Sequence, residues 1–177
     1  MMDTETPLND KPLSIARYPA PVLQRRGCNV EPDDLELPEL VSRMLASLKA
    51  HHGVGLAGPQ VNRSIRLFVA FYPEQMEKPQ AYVNPELFAP EGEKTDEEGC
   101  LSLPGIRMPV RRAESISIRA HDLSGKIIET RADGLLARIW QHEMDHLNGI
   151  LLIDYMSTVS RLANRKILKQ LQREYLP

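Results

Sequence analysis

The sequence has few cysteines, few aromatic residues and no long apolar run. Its two cysteines, Cys28 and Cys100, are too few for a disulfide scaffold. Aromatic residues make up only 5% of the chain, so surfaces that stack on nucleic-acid bases are not expected. The apolar runs fall far short of the roughly 20 residues that a membrane-spanning helix needs. Residues 1–10 are acidic and lack an apolar segment, so we expect no signal peptide.

The balance of charges excludes a further class of proteins. Lys and Arg total 22 against 24 Asp and Glu, a net charge of −2. Dedicated binding to nucleic acid or to an anionic membrane would require a basic excess. A content of 42% hydrophobic and 26% charged residues is typical of a soluble globular protein. We therefore expect residues 1–177 to form a single catalytic domain in the cytoplasm, with no membrane or sequence-specific nucleic-acid partner.

The order of predicted elements indicates an α+β fold. Residues before about 35 are rich in proline and predict an irregular arm. Helical spacing predicts a helix from Pro38 to about His51, ended by Gly53. Strands are predicted over 66–71, 81–83, 115–120 and 126–130, the last two paired across a turn at 123–125. Further helices are predicted over 133–148 and 158–174. Short, mostly antiparallel strands would then surround a central helix, with another helix at the C-terminus.

The central helix carries the motif HExxH, from His142 to His146. On a helix these two histidines lie about 40° apart around the axis and about 6 Å along it, so both can reach one metal ion. A helical wheel places the histidines on an arc predicted to face the interior. That arc comprises Leu135, Ile139, His142 and His146, and a polar arc opposite to it comprises Arg138, Gln141, Asp145 and Asn148.

Two histidines do not complete a metal site, and the residues alone leave the third ligand open. Zinc proteases commonly use a later Glu or His, whereas here Cys100 lies in a glycine- and proline-containing segment typical of a tight loop. Cys100 could also be a buried thiol or, less readily, form a disulfide with Cys28. A site closed by four protein ligands would instead be structural.

A glycine-rich segment, residues 53–60, contains the spacing GxGxxG of dinucleotide-binding proteins. Such a site needs a preceding strand and a following helix N-terminus, whereas this segment is preceded by a predicted helix and followed by an extended stretch. Nucleotide binding is therefore not expected. The segment instead offers backbone that a bound chain can approach, and it ends in a side-chain amide, Gln60.

Taken together, GVGLAGPQ, EGCLSLPG and QHEMDHLNG resemble the three motifs of the peptide deformylase family in the family's order. The resemblance extends over roughly residues 12–160 and includes Val83, Asn84 and Pro85. One departure is Gly58, where the family more often has alanine. We expect this glycine to loosen the turn slightly.

The resemblance implies a role for each matching residue. Cys100, His142 and His146 would bind the metal, with water in the fourth position, and Glu143 would be the general acid and base. Gln60 and the backbone N–H of Leu101 would stabilise the oxyanion. The residues implied to bind substrate are Gly55 through its backbone, Val54, Leu135 and Ile139 around a methionine side chain, and Glu98 and Arg107 at the pocket mouth.

The activity that the resemblance implies is hydrolysis of the formyl amide of N-formylmethionyl peptides, releasing formate. The family is implied to use iron(II) and to accept zinc, nickel or cobalt; thiolate sulfur suits iron(II) as well as zinc. The alternative is an HExxH endopeptidase.

The predicted C-terminal helix carries a group of basic residues. The surface that they form is either an ordinary solvated face or a docking site for the ribosome. Its basic residues are Arg161, Arg165, Lys166, Lys169 and Arg173.

Overall fold

The computed structural model describes residues 11–74 and 76–175. The strands are β1 Gly55–Ala57, β2 Leu67–Ala70, β3 Gln80–Glu91, β4 Lys94–Gly99, β5 Arg107–Arg112, β6 Ser115–His121 and β7 Ile127–Asp133. The helices are α1 Leu37–Ala50, α2 Gly134–Leu147, α3 Thr158–Ala163 and α4 Arg165–Tyr175, with 3-10 turns at Pro21–Gln24, Gly58–Val61 and Leu152–Tyr155. The prediction of an irregular arm is confirmed for residues 11–35, apart from the first of these turns; residues 1–10 lie outside the described residues.

Two antiparallel sheets organise the molecule. The larger one has the strand order β1-β2-β3-β6-β7, which leaves β1 at one edge, and the smaller one is the hairpin of β4 and β5. Side chains along each strand point alternately to the two faces of the sheet, and both faces of the larger sheet are buried. Leu56, Leu67 and Val69 pack with α1 in one apolar cluster, and Phe68 and Tyr82 pack with α2 in another. The helix that carries HExxH is therefore packed directly on the sheet, and the predicted α+β class is confirmed.

The strands predicted over 115–120 and 126–130 do pair, and in the structure they extend over Ser115–His121 and Ile127–Asp133, with His121 opposite Ile127. Asp122 stabilises the turn, since its Oδ1 accepts from the backbone N–H groups of Ser124 and Lys126 at 2.9 and 3.0 Å. The end of α1 differs slightly from the prediction. The residue in the left-handed region after this helix is His52 (φ 52°), one position before Gly53.

The strand predicted over 81–83 is much longer in the structure, because β3 continues to Glu91. Asn84 adopts φ 49° and Pro85 follows it, a pair typical of a turn. The pairing of β3 with β6 shifts register between Val83 and Glu86, so the sheet accommodates the irregularity instead of ending there.

The hairpin of β4 and β5 was not predicted. Its first strand, KTDEEG, is charged and mostly exposed, so it lacks the alternation that marks a strand. The second strand does alternate, and its side chains Met108 and Val110 pack with the C-terminal helix and the N-terminal arm. The one proline and three arginines of this second strand obscured a usable signal.

The single helix predicted over 158–174 is wrong, since the structure divides it into α3 and α4 at Asn164. The side-chain amide of Asn164 donates to the carbonyl of Ser160 at 2.9 Å, a local bond that competes with a continuous helix. Among residues 11–74 and 76–175, no helix has both the length and the apolar character needed to cross a membrane.

Candidate metal centre and substrate cavity

Helix α2 positions both histidines of HExxH toward the interior. His146 is 1% exposed and the side chain of His142 is 13% exposed, and their ring centroids lie 5.0 Å apart at an angle of 75°. The helix ends at Leu147, and Gly149 follows with φ 74°. This left-handed residue completes a glycine C-terminal cap of the kind that the sequence predicts.

Cys100 joins the two histidines from a different part of the chain. It follows directly after β4, and its carbonyl accepts from the N–H of Leu103 at 3.0 Å in a tight turn. One potential ligand atom from each of Cys100, His142 and His146 lies within 4.8 Å of the others. Cys28 is exposed and both cysteines are free, so the disulfide alternative is excluded.

The electrostatics of this cluster favour a thiolate. Burial alone would raise the pKa of Cys100, but the neighbouring His146 and His142 lower it well below its usual value. Its Sγ lies 3.3 Å from Nε2 of His146. A thiolate with two imidazoles is a soft, three-ligand set that fits zinc or iron(II) and leaves one position open. The residues present therefore fit a divalent metal ion.

Glu98, which the resemblance implies at the pocket mouth, lines the cavity with a buried side chain. Its side chain is 5% exposed, and its Oε2 accepts from Nδ1 of His142 at 2.9 Å. Burial alone would raise the pKa of Glu98, but the hydrogen bonds from His142 and Arg112 lower it to about 2. A carboxylate in this position fixes the tautomer of His142, so that Nε2 is free to bind an ion.

Glu143 lies beside the ligands and against strand β1. It is 3% exposed, and its Oε2 is buried without a hydrogen-bond partner among the described residues. Burial raises the pKa of Glu143 to about 7, although His142 and His146 oppose this effect. A carboxyl group with such a pKa can both accept and release a proton near neutral pH.

Hydrogen bonds fix the orientation of the Gln60 side chain next to Cys100. Its Oε1 accepts from the N–H of Ala57 at 2.9 Å, so its amide nitrogen faces the other way. That nitrogen, Nε2, lies 3.6 Å from Sγ of Cys100 and 3.2 Å from Oγ of Ser102. Ser102, which is fully buried, belongs to the EGCLS segment, but no pattern in the sequence pairs it with Gln60.

A cavity of about 550 Å³ is lined by the predicted site residues other than His146. Among its lining residues are Val54, Gly55, Gln60, Glu98, Cys100, Leu101, Arg107, Leu135, Ile139, His142 and Glu143. Leu135 was predicted to be interior, but it is 41% exposed, whereas Ile139 is 4% exposed. His52 and Arg138 also line the cavity, and neither was predicted to do so.

The prediction that Arg138 lies on a polar outer arc is wrong. The residue is buried, and its guanidinium donates to Glu98 at 2.6 Å. It lies only about 40° from His142 around the helix, so the hairpin of β4 and β5 covers both residues. Arg112 on that hairpin is also buried, and it donates to Asp145 at 2.6 Å. The alternation of β5 is the signal that could have located Arg112.

Comparison with known proteins identifies a family that this chain resembles over most of its length. The profile of the family described as polypeptide deformylase matches residues 12–162. A peptide deformylase of Dictyoglomus turgidum is 44% identical over 154 residues, covering 87% of this chain and 99% of its own length. A peptide deformylase of Tolumonas auensis is 41% identical over 161 residues, covering 91% of this chain and 96% of its own.

Solved structures show the same similarity in three dimensions. A peptide deformylase from Legionella pneumophila has a TM-score of 0.86 at 38% identity, covering 93% of this chain and 97% of its own. One from Thermus thermophilus has a TM-score of 0.86 at 37% identity, covering 92% of this chain and 98% of its own. The family profile, the curated relatives and the solved structures agree, and the chain therefore belongs to the peptide deformylase family.

Proposed function

We propose that the chain is a metal-dependent amidohydrolase that removes the formyl group from N-formylmethionyl peptides and releases formate. The observation that carries this proposal is the convergence of Cys100, His142 and His146 beside Glu143, next to a cavity that adjoins the sheet-edge strand β1. The site thus combines potential metal ligands, a carboxyl group and a place for an extended peptide.

The three ligands would hold one divalent ion, with iron(II) as the ion used in the cell and zinc, nickel or cobalt as substitutes. When bound, the ion supplies a Lewis acid that activates water and polarises the formyl carbonyl. The protein prepares the ligands for this role. His142 is oriented through its contact with Glu98, and the pKa of Cys100 is lowered toward the thiolate that metals require.

Glu143 would transfer the proton. One of its oxygens has no hydrogen-bond partner among the described residues, so it is available to accept a proton from the attacking water. The same carboxyl group would then pass this proton to the leaving amine nitrogen. Burial makes this carboxyl group a stronger base than an exposed glutamate, which favours its acceptance of the proton.

Gln60 and the backbone N–H of Leu101 would stabilise the negative charge that develops on the formyl oxygen. The bond from Ala57 directs the amide nitrogen of Gln60 toward Cys100, on the side where the reaction takes place. Leu101 follows Cys100 and lines the same cavity. Preorganised donors of this kind stabilise a transition state by a few kcal/mol.

The substrate would bind as an additional strand along β1. That strand lies at the edge of the larger sheet, and Gly55 at its start lines the cavity. Main-chain bonds to an edge strand are a common mode of peptide recognition. Val54, Leu135 and Ile139 would contact the methionine side chain, and Arg107 would lie at the mouth. Glu98 would act on the site indirectly, by orienting His142.

Formate release from a formyl-Met peptide, with and without a chelator, tests the proposal. We expect activity that the chelator abolishes and that added metal restores. Cleavage of internal peptide bonds without formate release would favour the endopeptidase alternative. Tight metal binding without either activity would favour a structural site. A cysteine among the three potential ligands favours the amidohydrolase over the endopeptidase, because zinc proteases commonly use a later Glu or His as the third ligand.

We further propose that the enzyme acts in the cytoplasm on chains emerging from the ribosome. Helix α4 buries Leu168 and Leu171, while Arg165, Lys166 and Lys169 are exposed. A basic face of this kind suits the anionic surface of ribosomal RNA. Deletion of residues 162–177 should weaken co-sedimentation with ribosomes in a salt-dependent manner. Unchanged binding would contradict the ribosome proposal without affecting the proposed chemistry.

A further inference from the structure

A single buried carboxylate joins two arginines to a potential metal ligand. Oε1 of Glu98 accepts from Nη1 of Arg138 at 2.6 Å and from Nε of Arg112 at 2.9 Å. Its Oε2 accepts from Nη2 of Arg112 at 3.0 Å and from Nδ1 of His142 at 2.9 Å. Each of the three donor side chains thus fixes part of the carboxylate.

Arg138 also connects three elements of secondary structure. It lies on α2 one turn before His142, and its Nη1 donates to the carbonyl of Val110 on β5 at 2.8 Å. Its Nη2 donates to the carbonyl of Lys94 on β4 at 2.7 Å. Only the planar, multidentate fork of an arginine can make these contacts together with the contact to Glu98.

These contacts connect the parts of the chain that carry the ligands. Cys100 follows β4, whereas His142 and His146 belong to α2. Arg138 therefore fixes the hairpin of β4 and β5 against the helix, at the place where the two meet. It also holds Oε1 of Glu98, which leaves Oε2 directed at His142.

We infer that Arg138 is a positioning residue for the metal centre: it sets the placement of Cys100 relative to His142 and, through Glu98, the orientation of the His142 ring. This inference rests on the metal site proposed above. Removing such support from a ligand weakens metal affinity by about 10- to 100-fold in other metalloproteins. The loss of metal affinity should therefore be measurable in the absence of any substrate.

The test measures the affinity of the metal-free protein for Co²⁺ and Zn²⁺ by competition with a chelator of known affinity. Arg138→Met should bind each ion about 10- to 100-fold more weakly than the unaltered chain. Arg138→Lys keeps the positive charge but not the fork, and its affinity should fall by at least about threefold. Thermal unfolding of each metal-free variant shows separately whether the fold is retained.

Arg66→Met is the matched control. Arg66 also connects α2 to the sheet, since it donates to the carbonyl of Leu147 at 3.2 Å and to the side chain of Asn148 at 3.0 Å. It makes no contact with Glu98 in the part of the chain that the structure describes. We expect its metal affinity to remain within about twofold of the unaltered chain, because the ligand positions do not depend on it.

The outcomes separate this inference from the proposed function. An Arg138→Met affinity within about threefold of the unaltered chain would overturn the inference, as would an equal loss in Arg66→Met. If Arg138→Met does not fold, the test rests on Arg138→Lys. An unchanged metal affinity in that variant would overturn the inference. If the unaltered chain itself bound neither ion, the proposed metal site would be wrong.

Discussion

Gly55 and Glu143 lie so close together that no side chain fits between them. A Cβ atom placed on Gly55 would overlap Oε1 of Glu143 and would lie 2.8 Å from its Cδ. With glycine at this position, strand β1 passes beside the carboxyl group without displacing it. The edge strand proposed to bind substrate and the proposed proton carrier are thus in direct contact.

Gly55→Ala should displace the Glu143 carboxyl group and lower the rate of formate release. We expect a loss of about a hundredfold in kcat/KM, the usual effect of misplacing a reacting group by about 1 Å. Metal content should remain near that of the unaltered chain, since Gly55 is not among the potential ligands. Gly99→Ala is a suitable comparison, because its added Cβ would lie 3.4 Å or more from the nearest atoms. Equal losses in the two variants would contradict the argument.

Glu143→Gln should separate proton transfer from metal binding. The amide has the same size as the carboxyl group, but it cannot accept a proton at neutral pH. We expect the metal to be retained and turnover to fall by about 10²- to 10⁴-fold. Metal analysis alongside formate release measures both effects. Near-normal activity, or loss of the metal, would show that the role assigned to Glu143 is wrong.

Cys100→Ser should behave differently from Glu143→Gln. A hydroxyl group is a poorer ligand than a thiolate for zinc or iron(II), so the metal itself should bind more weakly. The variant should lose activity in proportion to its metal content, and added metal should restore part of it. A variant that kept tight metal binding and cleaved internal peptide bonds would instead support the endopeptidase alternative.

Gln60→Ala should affect the transition state more than substrate binding. We predict that kcat falls by roughly a hundredfold or more with little change in KM, because the side-chain amide donates where charge develops. The variant also leaves the buried N–H of Ala57 without its side-chain acceptor, so its thermal stability should be measured in parallel. An effect confined to KM would mean that Gln60 holds the ground-state peptide.

Gly58→Ala should destabilise the protein, although the resemblance implies alanine at this position. A Cβ atom at this position would lie 2.9 Å from the carbonyl oxygens of both Arg63 and Ile65. The 3-10 turn is thus tightly packed here, and the chain at 63–65 would have to move. We expect a loss of about 1–3 kcal/mol in the free energy of unfolding, measured by denaturant titration. Greater stability in this variant would contradict the packing argument.

Local patterns in the sequence were sufficient for several elements. The helical period predicted α1 and α2, and strict alternation with a turn signal predicted the hairpin of β6 and β7. These features depend on neighbours three or four residues apart, or on strands joined by a short turn. The pairing of His142 with His146 belongs to the same class, since one turn of helix brings them together.

Other features required information that no local pattern carries. The charged strand β4 forms where β5 pairs with it, and the helix predicted at the C-terminus is divided into two at Asn164. The motif resemblance, and not spacing, indicated Cys100 as a ligand, because its distance along the chain from the histidines allows many arrangements.

By itself, the sequence determined that a helix would present two histidines and a carboxyl group to one site. Only the tertiary structure decided which polar residues would support them. Arg138 has the spacing of a solvated residue on α2, yet it is buried, because the hairpin of β4 and β5 covers that part of the helix and places Glu98 against it. The physical reason is that a buried charge is stable only where a partner of opposite charge meets it. For Arg138, that partner comes from a strand about 40 residues away in the sequence.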